Sequence, residues 1–209
     1  MNFVLTNNGF IVIGPKLWNK RSFESTLRDD LDISFILPSS NTGYLEVTPT
    51  VKFYPVTMVE PSSFNSKIQQ YAGPFYTFDA TSAVGTYNAV DKNISEVKNN
   101  LKGIVAENRY KIENAGIKTI IQGHEVSVLT NRDSRNMYVQ QFMFMDDVAT
   151  VNWKFPEIWL QISKAEMGAV IAAGVSHIRS AFDWEGVKSI EIDACSTLAE
   201  LDAVVLTQV

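Results

Sequence analysis

Short apolar stretches separated by turn-forming residues fill the first 91 residues of the chain. The runs FVLT and FIVIG flank an Asn7-Asn8-Gly9 turn, which is a strong hairpin signal. A second hairpin is predicted over 75–80 and 85–90. The stretch 45–59 contains two prolines, so we expect it to pair at a sheet edge or to form irregular β structure. Only 22–31 has helical spacing, with its first serine as the expected N-cap.

Helical spacing dominates the second half. Apolar residues recur every three to four positions from residue 94, and this pattern predicts a helix that ends near Gly116. A β-hairpin with Gly123 and His124 at its turn follows, and then a helix over about 132–146. After a short extended piece, TVNWKF, a capping-box sequence at Ser163 opens a long helix. A last helix is expected to begin near Ser196-Thr197 and to end the chain.

Together these patterns predict an α+β protein of two domains. The first, residues 1–91, is expected to be a β-rich partner-docking domain. The second, residues 92–209, is expected to be mainly helical with one β-hairpin and to fold alone. Limited proteolysis is expected to separate the two within 89–93.

Composition narrows the classes of function. The 209 residues carry a net charge of −5, so a generally basic, nucleic-acid-binding surface is not expected. The single cysteine, Cys195, excludes an internal disulfide framework and suits folding in a reducing cytoplasm. No apolar run reaches the roughly 18 residues of a membrane span, and the N-terminus lacks the features of a signal peptide. We therefore expect neither nucleic acid nor a membrane as a partner.

The stretch TNRDSRN (130–136) is the strongest candidate for chemistry. Arg132 and Arg135 beside a helix start could grip a phosphate or carboxylate, but no glycine-rich loop accompanies them. An N-capped helix with arginines that are solvated or paired to acids is the favoured interpretation. Replacing both arginines by alanine should then change the free energy of unfolding by no more than about 1 kcal/mol.

The rest of the chain offers no established catalytic or metal-binding pattern. The acidic runs at 29–32 and 146–147 lack the spacing of a calcium loop and are expected to be solvated helix ends. His124 and His177 have no partner at metal-ligand spacing, and nucleophile-elbow and phosphate-loop motifs are absent. We therefore expect no catalytic residue, no metal ligand and no cofactor.

Aromatic residues crowd the end of the first domain, where five rings fall within seventeen residues. On a strand, FYTF places Phe75 on one face and Tyr76 and Phe78 on the other, so both faces carry rings. A two-sided core and a surface that docks on another protein both explain such a pattern. The residues expected to bind a partner are Tyr71, Phe75, Tyr76, Phe78 and Trp18. Replacing Tyr76 and Phe78 together by serine is expected to abolish that binding.

The order of motifs over about 95–205 resembles an uncharacterised domain family of tailed bacteriophages, found in tail-fibre-associated and fibre-assembly proteins. The motifs are a basic helix entering NRY, the TNRDSRN step, VNWK and a long helix ending AFDWE. The resemblance covers the C-terminal half only and brings no catalytic residue. It implies a structural protein of the virion tail that contacts the fibre or baseplate, with homo-oligomers as a further expectation. The alternatives are a fibre-assembly chaperone and an enzyme or receptor-binding module with an unrecognised site.

Overall fold

The computed structural model describes residues 1–207, which fold as an α+β protein. The chain divides into two compact units, the first spanning Met1–Lys92 and the second beginning at Asn93. The first unit is built around a curled β-sheet, and most of the helical residues belong to the second.

Residues 1–92, all of which the structure describes, form one six-stranded sheet and one helix. The strand order is β2-β1-β4-β6-β5, with β3 attached to β4, and the neighbours pair antiparallel except for the parallel pair β4–β6. The elements are β1 (Asn2–Asn7), β2 (Phe10–Leu17), α1 (Lys20–Asp29), β3 (Leu45–Glu46), β4 (Val51–Val59), β5 (Gln69–Phe78) and β6 (Ala83–Asp91).

Both predicted hairpins of this unit are confirmed. Asn8 and Gly9 take positive φ angles of 52° and 80°, as a two-residue turn of the mirror-image type requires. The turn joins β1 to β2 in an antiparallel pair. The second hairpin joins β5 to β6 and is longer than predicted, because its strands extend back to Gln69 and forward to Asp91.

Two local predictions in this unit are wrong. The stretch around Pro55 is an interior strand, because β4 lies between β1 and β6. Pro55 is tolerated there because one side of β4 changes partner at this point: β3 pairs as far as Phe53 and β6 begins opposite Val56. The cap of α1 is Asn19 rather than Ser22, since the Asn19 side chain accepts a hydrogen bond from the Ser22 amide.

The main core of the first unit lies between α1 and one face of the sheet. The Phe23 ring of α1 meets the Phe53 ring of β4 edge-on at 4.9 Å. Trp18 packs beside them, with ring centroids 5.3 Å from Phe23 and 5.2 Å from both Phe53 and Phe3. Edge-to-face rings at this spacing add to the apolar burial, so this cluster anchors the unit.

The second unit, as far as residue 207, contains four helices and two two-stranded sheets. Its main core joins β7–β10 with α3 and the start of α4, and it includes the fully buried side chains of Phe155 and Met167. The elements are α2 (Ile94–Asn114), β7 (Ile117–Ile121), β8 (His124–Val128), α3 (Arg132–Phe144), β9 (Thr150–Lys154), β10 (Trp159–Ser163), α4 (Lys164–Ala194) and α5 (Leu198–Ala203).

The prediction of a single β-hairpin in this half is wrong, because β9 and β10 form a second one. In β10 only Leu160 and Ile162 alternate as buried residues, and the strand runs straight into the helix cap at Ser163. An alternation of two residues beside a strong helix start is too short to predict a strand. The first hairpin turns at Gln122-Gly123, one residue earlier than predicted.

The structure confirms three predicted helix starts but not the predicted end of the last helix. The capping box at Ser163 and Glu166 is confirmed, and so is a cap in TNRDSRN, where Asn131 accepts from the Ser134 amide. Thr197 caps the last helix as expected. That helix ends at Ala203, and the prediction that it reaches the chain end also concerns residues 208–209, which lie outside the described residues.

A partly buried ionic cluster ties α2 to α3 and α4. The carboxylate of Glu113, only 7% exposed as a residue, pairs with the guanidinium groups of Arg109 and Arg135, the latter at 3.1 Å. Arg109 also contacts Glu185 on α4 at 2.9 Å. Arg135 is therefore paired to an acid, as the favoured interpretation of TNRDSRN allows, whereas Arg132 is exposed.

We expect residues 93–209 to fold without the first unit. This segment carries its own core cluster, capped helices and ionic cluster. Cutting before Asn93 leaves the sheet of the first unit intact, because β6 ends at Asp91. Circular dichroism of the fragment should show a helical spectrum and one cooperative melting transition. A broad, non-cooperative melt would contradict this expectation.

Candidate interaction surface

The hairpin β5–β6 places three of the predicted partner-binding residues on one face of the sheet. Tyr71 lies opposite Ala89, Tyr76 opposite Gly85 and Phe78 opposite Ala83. Residues directly opposite on antiparallel strands share a face, so each ring has a small residue beside it. Because these rings on β5 stand opposite small residues on β6, the rings can lie across the neighbouring strand.

Gly85 is required by close packing rather than by backbone angle. A Cβ at this position would come within 2.9 Å of the Met58 sulfur and 3.0 Å of a Tyr76 ring carbon. Met58 and Tyr76 therefore pack directly over the backbone of β6. The sequence GTYNAV predicts a strand but does not reveal why its first residue must be small.

A bulge in β5 sets which rings share the face. Between the pairs Ala72–Asn88 and Phe75–Thr86, β5 has one more residue than β6. The bulge includes Gly73, whose φ is 114°. A Cβ at Gly73 would lie 2.9 Å from the Thr86 carbonyl oxygen. Without the shift, Tyr71 and Phe75 would lie on one face; with it, Tyr71 joins Tyr76 and Phe78.

The rings on this face form an aromatic strip. One run joins Tyr44, Tyr54 and Phe78 at centroid distances of 5.2 and 5.0 Å, and Tyr76 follows at 6.3 Å. In a second run Tyr87 lies 5.6 Å from Tyr71, which stacks on Phe64 at 4.1 Å. We call these seven residues the aromatic strip: Tyr44, Tyr54, Phe64, Tyr71, Tyr76, Phe78 and Tyr87.

The strip is half core and half surface. Beneath it lie the buried side chains of Val4, Val56 and Ala83, against which Tyr76 packs. Tyr71 and Phe78 remain 45% and 39% exposed. Helix α1 packs its buried side chains into the cluster on the opposite face. The inner rings therefore close a small core, while the outer rings present apolar area to solvent.

Two of the predicted partner-binding residues lie apart from the strip. Phe75 is on the opposite face of β5 and is 56% exposed. Trp18 belongs to the α1 core, where its indole Nε1 donates a hydrogen bond to the Pro38 carbonyl at 3.2 Å. The structure thus brings Tyr71, Tyr76 and Phe78 together and leaves Trp18 among the rings that anchor the unit.

Polar groups border the strip at the end near the β1–β2 turn. The Tyr44 hydroxyl donates to Glu46 at 2.9 Å, and Lys52 lies 3.5 Å from the same carboxylate. These two neighbours hold the pKa of Glu46 below its ordinary value. A groove of about 330 Å³ adjoins them and is lined by Thr6, Asn8, Gly9, Pro49, Thr50, Lys52, Tyr54 and Phe78.

The phenols of Tyr44, Tyr71 and Tyr76 stay neutral near pH 7. Burial, followed by the nearby Glu46, raises the pKa of Tyr44 above its ordinary value. Burial also raises the pKa of Tyr71 and Tyr76. These three side chains are therefore uncharged and offer ring faces and hydroxyl groups, a combination favoured at the centre of protein interfaces.

A second apolar surface was missed by sequence reasoning. On α3, Met137 and Phe144 are exposed, whereas Tyr138 and Met145 are buried. The run NMYVQQFMFM contains both pairs at a spacing of seven residues, so it carries apolar residues on two sides of one helix. That doubling is the signal in the sequence that indicates a second apolar side.

Neither a metal-binding cluster nor a membrane-spanning helix occurs among the described residues. Nowhere in residues 1–207 do three histidine, cysteine, aspartate or glutamate side chains lie close enough to hold a metal ion. None of the helices in this range combines the length and the apolar character needed to cross a bilayer.

A comparison with known proteins identifies a family for most of the second unit. A family model described as a domain of unknown function, DUF4376, matches residues 96–205, more than half of the chain. The curated proteins include no match, and neither do the solved structures.

Proposed function

The chain belongs to the DUF4376 domain family, and from this premise we propose that it is a structural protein of a bacteriophage tail. In the proposal it attaches to the fibre or baseplate through protein–protein contacts, and the aromatic strip is the main contact. The motif order over about 95–205, which resembles tail-fibre-associated proteins, supports the tail assignment.

The exposed part of the aromatic strip is the observation that carries the proposal. Tyr71 and Phe78 hold apolar ring area in solvent on β5, and Phe78 lines the same groove as Lys52. Exposed apolar surface with a polar border is typical of interaction sites. The strip offers recognition without a charged group at its centre, which suits binding to another protein.

The structure sharpens the choice of variant. Tyr76 packs over Val56 and Ala83, so its loss would weaken the fold as well as the surface. Tyr71 and Phe78 are more exposed and can be changed with less effect on the core. Replacing both by serine should reduce co-purification with a fibre or baseplate protein at least tenfold, because interface energy concentrates in a few aromatic residues.

The matched control is Phe75→Ser. Phe75 is a phenylalanine like Phe78 and lies on the same strand, β5. It is at least as exposed as Tyr71 and Phe78, but it lies on the opposite face. Co-purification should survive this change. Loss of binding in Phe75→Ser together with normal binding in the Tyr71 and Phe78 double variant would place the contact elsewhere.

Purified phage particles decide the role of that contact. Quantitative mass spectrometry should find the protein in a fixed ratio to the fibre or baseplate subunits. Absence from particles, with co-purification of unassembled fibre from infected cells, would instead indicate an assembly chaperone.

A further inference from the structure

A row of polar side chains lies beside the aromatic strip on the same face of the sheet. Thr6 on β1 stands opposite Lys52 on β4, and Lys52 stands opposite Glu46 on β3, so the three side chains share that face. Tyr54, two residues further along β4, lies on the same face, and its ring centroid is 5.0 Å from that of Phe78. The groove of about 330 Å³ near the β1–β2 turn is lined by both rings, by Lys52 and by Thr6. We call it the Lys52 groove.

The Lys52 groove has the size and the mixed lining of a small-molecule site. Such sites measure about 300–1,000 Å³ and combine apolar walls with a few polar groups. The rings of Tyr54 and Phe78 form the apolar part. The polar part consists of carboxamide, hydroxyl and ammonium groups, from Asn8, Thr50 and Lys52. A ligand that fits this lining has one apolar face and several polar groups at its edge.

The charges beside the groove cancel. Lys52 is the one charged residue among the described residues that line it, and the Glu46 carboxylate lies 3.5 Å from its ammonium group. A phosphate or another anion would be repelled by Glu46, and a cation would be repelled by Lys52. The groove therefore favours a ligand without net charge.

The main chain along the groove is already hydrogen-bonded. Strand β1 pairs with β4 over its whole length, and the Asn8 amide donates to the Thr50 carbonyl at 2.9 Å. An extended peptide that adds to a sheet is held by main-chain hydrogen bonds, which this groove does not offer. Side chains must therefore recognise the ligand.

We propose that the Lys52 groove binds a neutral sugar residue, either free or as part of a polysaccharide. The C–H groups on one face of the sugar ring lie against the rings of Tyr54 and Phe78, and the hydroxyl groups at its edge point towards the polar row. A hydroxyl both donates and accepts hydrogen bonds, whereas the Lys52 ammonium only donates and the Glu46 carboxylate only accepts. Two adjacent hydroxyl groups of one sugar therefore satisfy the pair, since one accepts from the ammonium and the other donates to the carboxylate.

This inference goes beyond the proposed function, which concerns contact with another protein. Lys52 and Glu46 lie outside the aromatic strip, and Tyr71 is not among the residues that line the groove. Phe78 belongs to both surfaces, so variants of Lys52 and Tyr71 separate the two. Lys52→Met should leave co-purification with a tail protein unchanged, and Tyr71→Ser should leave sugar binding unchanged.

Saturation-transfer NMR of the full chain tests the proposal with glucose, galactose, mannose and N-acetylglucosamine and with their linear hexasaccharides. At least one of these sugars should bind, with the strongest signals from C–H protons on one face of the ring. A hexasaccharide that binds more tightly than its monosaccharide would identify the site as one for a polysaccharide, whereas equal affinities would identify it as one for a single sugar. Binding of none of these sugars would overturn the proposal.

Lys52→Met should weaken sugar binding at least tenfold, as expected for a lost hydrogen bond to a charged group. The Lys52 side chain is partly exposed and its ion pair adds little to stability, so circular dichroism should show an unchanged fold. The matched control is Lys118→Met, which removes another lysine that pairs with a glutamate across two strands, in the second unit. Equal effects of the two changes would mean that the sugar binds outside the groove, contrary to the proposal.

Two changes at Phe78 distinguish a sugar from an apolar side chain of another protein. Phe78→Leu keeps an apolar contact but removes the flat ring, so sugar binding should fall severalfold, while Phe78→Trp should retain it. Sugar binding that is insensitive to leucine would contradict the stacked arrangement. If no sugar binds and Lys52→Met instead abolishes co-purification with a tail protein, the groove belongs to the protein contact and the proposal fails.

Discussion

Replacing Glu113 by alanine should lower the free energy of unfolding of the second unit by about 3 kcal/mol, the size expected when one partner of a buried ion pair is removed. The carboxylate is nearly buried and pairs with both Arg109 and Arg135. Its loss would leave the two guanidinium groups, which are only partly exposed, without the carboxylate between them. Only Arg109 would retain an acid, Glu185.

Calorimetry of the full chain should show this as a decrease of roughly 10 °C in the transition of the second unit. Hydrogen exchange should assign the loss to α2 and α3, while peptides of β1–β6 keep their protection. A change below about 1 kcal/mol would mean that water screens the cluster and that its pairs behave as surface ion pairs.

The two arginines of TNRDSRN provide the matched control. Arg135→Ala removes one partner of Glu113, so it should cost about 1–2 kcal/mol, within the usual range for a lost charged hydrogen bond. Arg132→Ala, three residues earlier on the same helix and exposed, should cost less than about 0.5 kcal/mol. The sequence-based expectation treated the two arginines alike, whereas the structure distinguishes them.

This difference shows what local sequence patterns can and cannot predict. The cap at Asn131 depends on residues three positions apart, and the sequence predicted a cap at Thr130 or Asn131. The pairing of Arg135 with Glu113 joins two helices across a hairpin, and no local spacing encodes it. Contacts between distant elements depend on tertiary packing, which periodicity alone does not determine.

In the aromatic strip, too, the sequence predicts local features but not those that depend on tertiary structure. Alternation in FYTF correctly separated Phe75 from Tyr76 and Phe78. The position of Tyr71 could not be predicted in the same way, because the bulge at Gly73 shifts the register by one residue and reverses the face of everything before it. Trp18, also predicted to bind a partner, packs in the core because the rings of Phe23 on α1 and Phe53 on β4 lie against it.

Replacing Phe53 by alanine should have the largest effect in the first unit, a loss of about 3–5 kcal/mol, as is typical of a buried phenylalanine. The side chain is fully buried and contacts the rings of Phe23 and Trp18 at 4.9 and 5.2 Å. Phe53 lies on the part of β4 that pairs with β1, from Val51 to Val56, so the cavity would open between α1 and the interior of the sheet. A loss of this size is comparable to the total stability of many small domains, so much of the unit should unfold.

The loss should extend to the surroundings of Trp18, because its indole packs against Phe53. In Phe53→Ala, hydrogen exchange should become fast across β1, β4 and α1, and binding of the fibre or baseplate partner should be lost with the fold of the strip. Helices α2–α4 should keep their protection, since they belong to the second unit. Phe10→Ala is the control, because Phe10 is 78% exposed at the start of β2 and its loss should leave exchange unchanged. Equal effects at Phe10 and Phe53 would contradict the placement of the core between α1 and the sheet, and with it the assignment of the opposite face to binding.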